Sequence, residues 1–255
     1  MPPRSLLSAR ARADLFDIPT GSDGLMRHYL LSPSDMELIR TRRRDENRFG
    51  LAVHISLLRH PGQGWRDGVV LPEALLDWLG DQLHLPASHF LNYASRGATR
   101  AAHQALALQH LDLTSFSKAH MAMAEDIATK AAFATDHGVK IVETLAAELR
   151  KHRLVLPSVD TLERLAVKGR SRSRREAAAA LFDAISMEQR AQLQALLVND
   201  PSVGQTRLTW LRGYPHSTSP ASMTALLDRL KYLRSLDLRP SLGHGLHPDR
   251  LLKFA

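Results

Sequence analysis

An all-α fold assembled from short helices is what this sequence predicts, on three observations. Alanine, leucine and arginine dominate long stretches, whereas alternating runs of β-branched residues are nearly absent. Ser, Thr and Asp residues stand at helix-start positions immediately ahead of apolar residues recurring every three or four positions. Pro-Gly, Gly and Ser-rich punctuation falls every 10–25 residues or so, which suits short helices and tight connections.

The first clear element is "LSPSDMELIRTRRR", with Ser32 as N-cap, Pro33 at the first helical position and Asp35 closing a capping box. This helix is expected to continue to Arg44. A second helix is predicted from about Asn47 to Arg59, where Phe49, Ala52, Val53 and Leu57 recur at helical spacing and Leu51, Ile55 and Leu58 fill the adjacent face. A helix apolar over most of its circumference belongs inside a bundle, and "HPGQGW" ends it in a turn. "EALLDWLGDQLHL" follows as an amphipathic helix carrying Leu75, Leu76, Leu79 and Leu83, then a short helix from Pro86 through Tyr93 and another from Ser95 to Leu111.

"DLTSFSKAH" reads as a hinge, with Ser117 capping a long alanine-rich helix that ends near Thr135. Gly138 restarts the chain into "VKIVETLAAELRKHR", expected to reach Arg153, and "LVLPS" links onward. Asp160 with Glu163 and Ser186 with Gln189 read as two further capping-box pairs, and Ser219 with Pro220 opens the last amphipathic helix. The expected organisation is two small helical bundles in tandem, residues 1–115 and 116–255, without an internal repeat.

Several function classes are excluded or disfavoured by composition. There are no cysteines, so disulfides, thiolate catalysis and Cys-ligated zinc are ruled out. Thirteen histidines are present, but none forms the i, i+4 pair of a helical zinc site. No phosphate-cradling glycine loop, Gly-x-Ser-x-Gly elbow or dinucleotide fingerprint occurs; no catalytic residue, metal or cofactor is expected. The start of the chain lacks the apolar run of a signal peptide, and no stretch approaches the ~20 apolar residues of a membrane span. The expectation is a soluble intracellular protein that binds rather than catalyses.

The formal net charge of +8 favours a polyanionic partner. Two basic runs are candidates to meet it. The first comprises Arg40, Arg42, Arg43, Arg44 and Arg48. On a helix, consecutive residues fan by about 100° each, so Arg40, Arg43 and Arg44 would share one face. Guanidinium forks suit phosphate oxygens and guanine edges, but Glu37, Asp45 and Glu46 lie close enough for this to be an ordinary solvated face. The second comprises Lys168, Arg170, Arg172, Arg174 and Arg175, alternating with Gly169, Ser171 and Ser173. Its small residues would let a nucleic-acid backbone approach closely; a loop, a loosely held helix and a flexible charged linker are all compatible with it. Aromatic residues are only 5% and scattered, so duplex is favoured over single strand.

The stretch "YLLSPSDMELIRTRRRDENRFGLAVHISLLRHPG" resembles the amino-terminal region of the Tn-three family of bacterial transposases. The resemblance rests on Leu31, Ser32 and Asp35; on Arg42 to Arg44; on Asn47, Arg48 and Gly50; and on Leu58, Arg59, Pro61 and Gly62. It continues at Tyr93, Arg96, Thr99, Arg100 and His103, then through "ELRKHRLVLPSVDTLERL" and "LTWLRGYP" to "HPDRLLKFA". It implies helix-turn-helix-like modules that bind double-stranded DNA at the terminal inverted repeats of a transposon, with the catalytic acidic triad farther along the family's chains. The DNA-binding residues it suggests are Arg40, Arg42, Arg43, Arg44, Asn47, Arg48, Arg96 and Arg100, beside the second basic run. Arg59 and His103 fit equally well as buried partners that fix helix packing. The family departs from this chain around residues 165–180, where it carries a more regular alanine-rich helix.

The resemblance further implies self-association in a paired-end complex and a place in the bacterial cytoplasm, on the nucleoid. Three other readings stand beside it. One is a short relative that regulates or inhibits transposition, since the chain stops where family members run on. Another is a helical protein-interaction scaffold, and a more distant one is an independent nuclease.

Overall fold

The structure, a computed structural model, describes residues 6–65, 68–93, 97–214 and 217–237. It is mostly helical, with one two-stranded antiparallel ribbon. The chain divides into two compact units, Met1–Arg170 and Ser171–Ala255.

The first unit opens with α1 (Ala9–Asp14) and α2 (Ser22–Tyr29), neither of which the sequence patterning had indicated. Four helices follow: α3 (Pro33–Arg40), α4 (Asp45–Arg59), α5 (Glu73–Leu83) and α6 (Gly97–His110), with a 3-10 turn at Ala87–Asn92. The Ser32/Asp35 capping box is formed as expected. Every residue of α4 from Phe49 to Leu58 is buried, so this helix is the axis of the first core, surrounded by Tyr29, Ile39, Leu75, Leu79 and Ala107. Each fully buried Leu, Ile or Phe side chain there is worth roughly 1.5–3 kcal/mol. α4 stops at Arg59 because His60 precedes proline and is held extended, at φ −149° and ψ 129°. Gly62 then takes φ +97°, which only glycine adopts without strain.

A second core in the same unit is built by α7 (Met121–Ala134), α8 (Gly138–Lys151) and α9 (Val159–Asp183). Ser117 caps the 3-10 turn Lys118–His120 that leads into α7, and Thr135 ends it. The 115/116 position falls between the two cores of the first unit, although Leu6, Leu7, Ala11 and Leu15 from the chain start pack into the second.

Three local expectations are corrected. α3 ends at Arg40, four residues early, and α4 begins at Asp45 instead of Asn47, so Arg42–Arg44 lie in a turn. α8 ends at Lys151, and Arg153 takes the left-handed conformation at φ +58°. Asp160 and Glu163 form no capping box. Ser158 is the capping residue, its Oγ accepting from the Thr161 amide at 3.4 Å, and Glu163 instead accepts the amides of Leu6 and Leu7 and the Arg12 guanidinium.

The second unit contains the rest of α9, α10 (Met187–Ala195), strands β1 (Asn199–Asp200) and β2 (Gln205–Thr206), α11 (Arg207–Arg212) and α12 (Pro220–Ser235). The Ser186/Gln189 capping box and the Ser219 cap with Pro220 at the helix start are both present. Trp210 and Tyr232 meet edge to face at 5.9 Å, and Arg229 donates to the Trp210 carbonyl at 3.0 Å, which ties α11 to α12.

Candidate nucleic-acid interface

The first basic run forms the corner between α3 and α4. α3 stops because the Thr41 hydroxyl turns back onto the Leu38 carbonyl at 2.6 Å and the Arg42 amide meets the Ile39 carbonyl at 3.0 Å. Two guanidiniums build the corner itself. Arg42 donates twice to Thr41 Oγ1, at 3.1 and 2.9 Å. Arg48, half-buried, donates from Nε to the Arg42 carbonyl at 2.9 Å and from Nη1 to Asp45 Oδ1 at 3.0 Å. Arg40 and Arg43 are exposed and have no hydrogen-bond or ion-pair partner among the described residues. Arg44 only approaches Glu46, at 3.8 Å and largely in solvent. The expected alignment of Arg40, Arg43 and Arg44 on a helix face is replaced by an open turn, and the acids Asp45 and Glu46 complement the start of α4. Asn47 is half-buried in that first turn.

A second sequence region converges on this corner. Tyr93 Oη and His103 Nδ1 are 2.8 Å apart and their rings stack, with centroids at 5.6 Å. Gly50 makes room for the tyrosine: a Cβ there would sit 2.0 Å from the ring. Burial lowers the His103 pKa, and the charge of Arg42 lowers it further. Burial raises the Tyr93 phenol, opposed by Arg100. Arg42 and Arg100, 58 positions apart in the sequence, are therefore both within electrostatic reach of one buried pair. Arg96 lies outside the described residues. Beneath the pair, His54 is fully buried with neither ring nitrogen hydrogen-bonded; burial, then His103, pushes its pKa down to about 4.

At the opposite ends of α4 and α6 the arginines have different work. Arg59 donates to both oxygens of the fully buried Asp35 at 2.9 and 2.8 Å, and His110 Nε2 lies 2.7 Å from Oδ1. Arg150 donates to the Pro61 carbonyl and Arg153 to the Leu111 carbonyl, each at 2.8 Å. These three guanidiniums line a cavity of about 410 Å³. They serve carbonyls that follow α4 and α6 and a buried carboxylate, which makes Arg59 a packing residue.

The second basic run is helical, inside α9. Two of its small residues serve packing: a Cβ on Gly169 would lie 2.6 Å from the Ala128 carbonyl carbon of α7, and Ser173 is buried, whereas Ser171 is exposed. Lys168 is 3.8 Å from Glu125, and Arg172 Nε donates to Glu176 at 2.7 Å. Arg170 is half-buried, whereas Arg174 and Arg175 are exposed. Arg172 and Arg175 share a face by helical spacing.

Sequence reasoning overlooked Thr41, Asp35 as a buried ion-pair partner, His110 and the role of Glu163. Only the Ser32/Asp35 box signalled any of them. Among the described residues no group of three or more His, Asp or Glu side chains could hold a metal ion, and no helix is long and apolar enough to cross a membrane.

Comparison with known proteins places the chain in a family. A domain of unknown function, DUF4158, matches residues 6–169. The chain is similar over its whole length to the transposase for transposon Tn501 of Pseudomonas aeruginosa, at 33% identity, and to the transposase for transposon Tn3926 of Escherichia coli, at 34%. The transposase for transposon Tn1546 of Enterococcus faecium is 26% identical over 99% of this chain. In each case the chain spans 26% of the length of the curated relative.

Proposed function

From the premise that the chain belongs to the DUF4158 family and is homologous to the amino-terminal regions of Tn-three family transposases, we propose that it binds duplex DNA and recognises the terminal inverted repeats of a transposon. In this reading it is a non-catalytic part of the transposition machinery, and the strand chemistry belongs to the remainder of proteins such as its relatives.

The observation that carries the proposal is the corner at Arg40–Arg44. The exposed guanidiniums of Arg40 and Arg43 stand there without a partner among the described residues, beside the Arg100 end of α6. A helix-turn-helix-like module needs one helix free to enter the major groove. α4 is buried from Phe49 to Leu58 and cannot be that helix. α6 fits the role: Ala98, Ala101, Ala102 and Ala105 are exposed, so its backbone can approach base edges closely while the corner arginines hold phosphates. The modules expected at residues 1–115 and 116–255 would then each bring one basic run to the DNA, the second through Arg174 and Arg175. Pairing of two copies at two transposon ends, and residence on the bacterial nucleoid, belong to the same reading.

The test is fluorescence anisotropy of the full chain on a labelled terminal-repeat duplex and on a scrambled duplex of equal length. The expected result is tighter binding to the repeat at the same salt. Equal affinity would leave a DNA binder that does not recognise the ends. Absence of binding at moderate salt would overturn the proposal.

A further inference from the structure

The hydrogen bonds at the α3–α4 corner separate its arginines into two kinds. Arg42 and Arg48 are tied into the turn, the one through Thr41 Oγ1 and the other through the Arg42 carbonyl and Asp45. Arg40 and Arg43 have no partner among the described residues, and Arg44 has a distant one in Glu46. Resting on the duplex-DNA reading above, we infer that Arg40, Arg43 and Arg44 form a backbone-phosphate clip, and that Arg48 is a positioning residue that holds the clip open without touching DNA.

The physical case has three parts. A guanidinium that donates to a main-chain carbonyl and a carboxylate has its fork already occupied, and moving it onto a phosphate would abandon both bonds. The Nε bond of Arg48 to the Arg42 carbonyl, six positions back, closes a loop around Arg43 and Arg44. It thereby fixes the course of the chain from which those two side chains project. The Thr41 hydroxyl, donating to Leu38 and accepting from Arg42, anchors the other side of the same corner to α3. Side chains held apart by such a frame lose less conformational freedom when they close on a ligand, which is the advantage of a clip over a flexible basic tail. The arginines at the far ends of α4 and α6 lack this character, because Arg59, Arg150 and Arg153 are each bonded to a carbonyl or to Asp35.

Contact and positioning differ in salt dependence. Each phosphate neutralised contributes about 0.9 to the slope of log affinity against log salt on B-form DNA. The experiment measures that slope for the full chain on the terminal-repeat duplex, for Arg40→Gln, Arg43→Gln, Arg48→Gln and Arg48→Lys, with a circular dichroism melt of each variant as a folding control. Arg40→Gln and Arg43→Gln are expected to flatten the slope by about one contact apiece. Arg48→Gln and Arg48→Lys are expected to weaken binding several-fold with the wild-type slope retained. Lysine keeps the charge but cannot reproduce the planar Nε and Nη donor pair.

A flatter slope for Arg48→Gln together with full rescue by Arg48→Lys would make Arg48 a phosphate contact and overturn the assignment. An unchanged slope for both Arg40→Gln and Arg43→Gln, against a steep wild-type slope, would remove the clip while leaving DNA binding in place. A wild-type chain that binds no duplex would overturn the DNA reading itself, a result distinct from the other two.

Discussion

Replacing Asp35 by asparagine should destabilise the first unit by about 2.5–4 kcal/mol at pH 7. The carboxylate is fully buried and accepts the Ser32 amide at 2.7 Å, the Arg59 guanidinium at 2.9 and 2.8 Å, and His110 at 2.7 Å. The one oxygen that asparagine keeps cannot serve the Ser32 amide, Arg59 and His110 together: a capping-box bond so lost accounts for roughly 1 kcal/mol, and loss of charge-assisted bonds for about 1.5–3 kcal/mol. Truncating one partner of a fully buried ion pair costs more, about 3–5 kcal/mol, but the Arg59 side chain is 34% exposed and can turn to water. The pH dependence supplies an independent check. Burial pushes the Asp35 carboxyl up, but the Ser32 amide, His110 and Arg59 together outweigh it and leave the pKa below the ordinary aspartate value. A depressed folded-state pKa contributes stability that is fully present above the unfolded value near pH 4 and lost as pH falls through the folded value. Urea unfolding of wild type and Asp35→Asn from pH 7 down to pH 2 should therefore show a gap that is constant above about pH 5 and narrows below about pH 4. A gap under about 0.5 kcal/mol at pH 7, or one that stays constant to pH 2, would refute the reasoning.

Three further outcomes follow from particular contacts. Gly50→Ala should lower the melting temperature, since a Cβ would meet the Tyr93 ring at 2.0 Å; overpacking of about 1–3 kcal/mol outweighs the ~1 kcal/mol that alanine gains in an open helix, and a higher melting temperature would contradict it. His54→Leu should stabilise the chain relative to wild type increasingly as pH falls from about 6.5 towards 4. The folded pKa near 4 lies below the unfolded value, so wild type loses up to ~3 kcal/mol across that window, and parallel unfolding curves for the two proteins would argue against it. Ser158→Ala should cost about 1 kcal/mol as the loss of the α9 cap, whereas Asp160→Ala should cost no more than about 0.5 kcal/mol, because Asp160 caps nothing and its ion pair with Arg12 is largely exposed; a larger cost for Asp160→Ala that persists in an Arg12→Ala background would restore the capping-box reading.

Local signals carried the parts of the fold that local physics decides. The Ser32/Asp35 and Ser186/Gln189 boxes join residues three apart, and the apolar run of α4 leaves no face for water, so each could be found from the sequence. The misassigned Asp160/Glu163 pair has the same spacing. What distinguishes it is that Glu163 bonds to Leu7 across 156 positions, and no window of the sequence contains both. α1 was missed for the same reason: "ARARAD" has no apolar stripe of its own, and its place depends on Arg12 reaching Glu163. In the candidate site, the identity of the basic residues was legible, but their roles were not. Which arginines are free depends on where carbonyls and carboxylates end up. Arg48 and Arg43 look alike in a string yet differ entirely in partners. The alternation in "KGRSRSRR" left a loop, a loosely held helix and a flexible linker open; the run is helical because Gly169 is where α9 presses against α7.

The central claim is that DNA meets the corner end of the first unit, where α3 gives way to α4 and α6 begins. It is tested most directly by photo-cross-linking the full chain to a terminal-repeat duplex carrying bromodeoxyuridine and locating the linked residues by mass spectrometry. The account predicts cross-links within residues 40–44 and on the exposed face of α6 from Ala98 to Ala105. Cross-links concentrated around Arg59, Arg150 and Arg153, at the opposite helix ends, would contradict it.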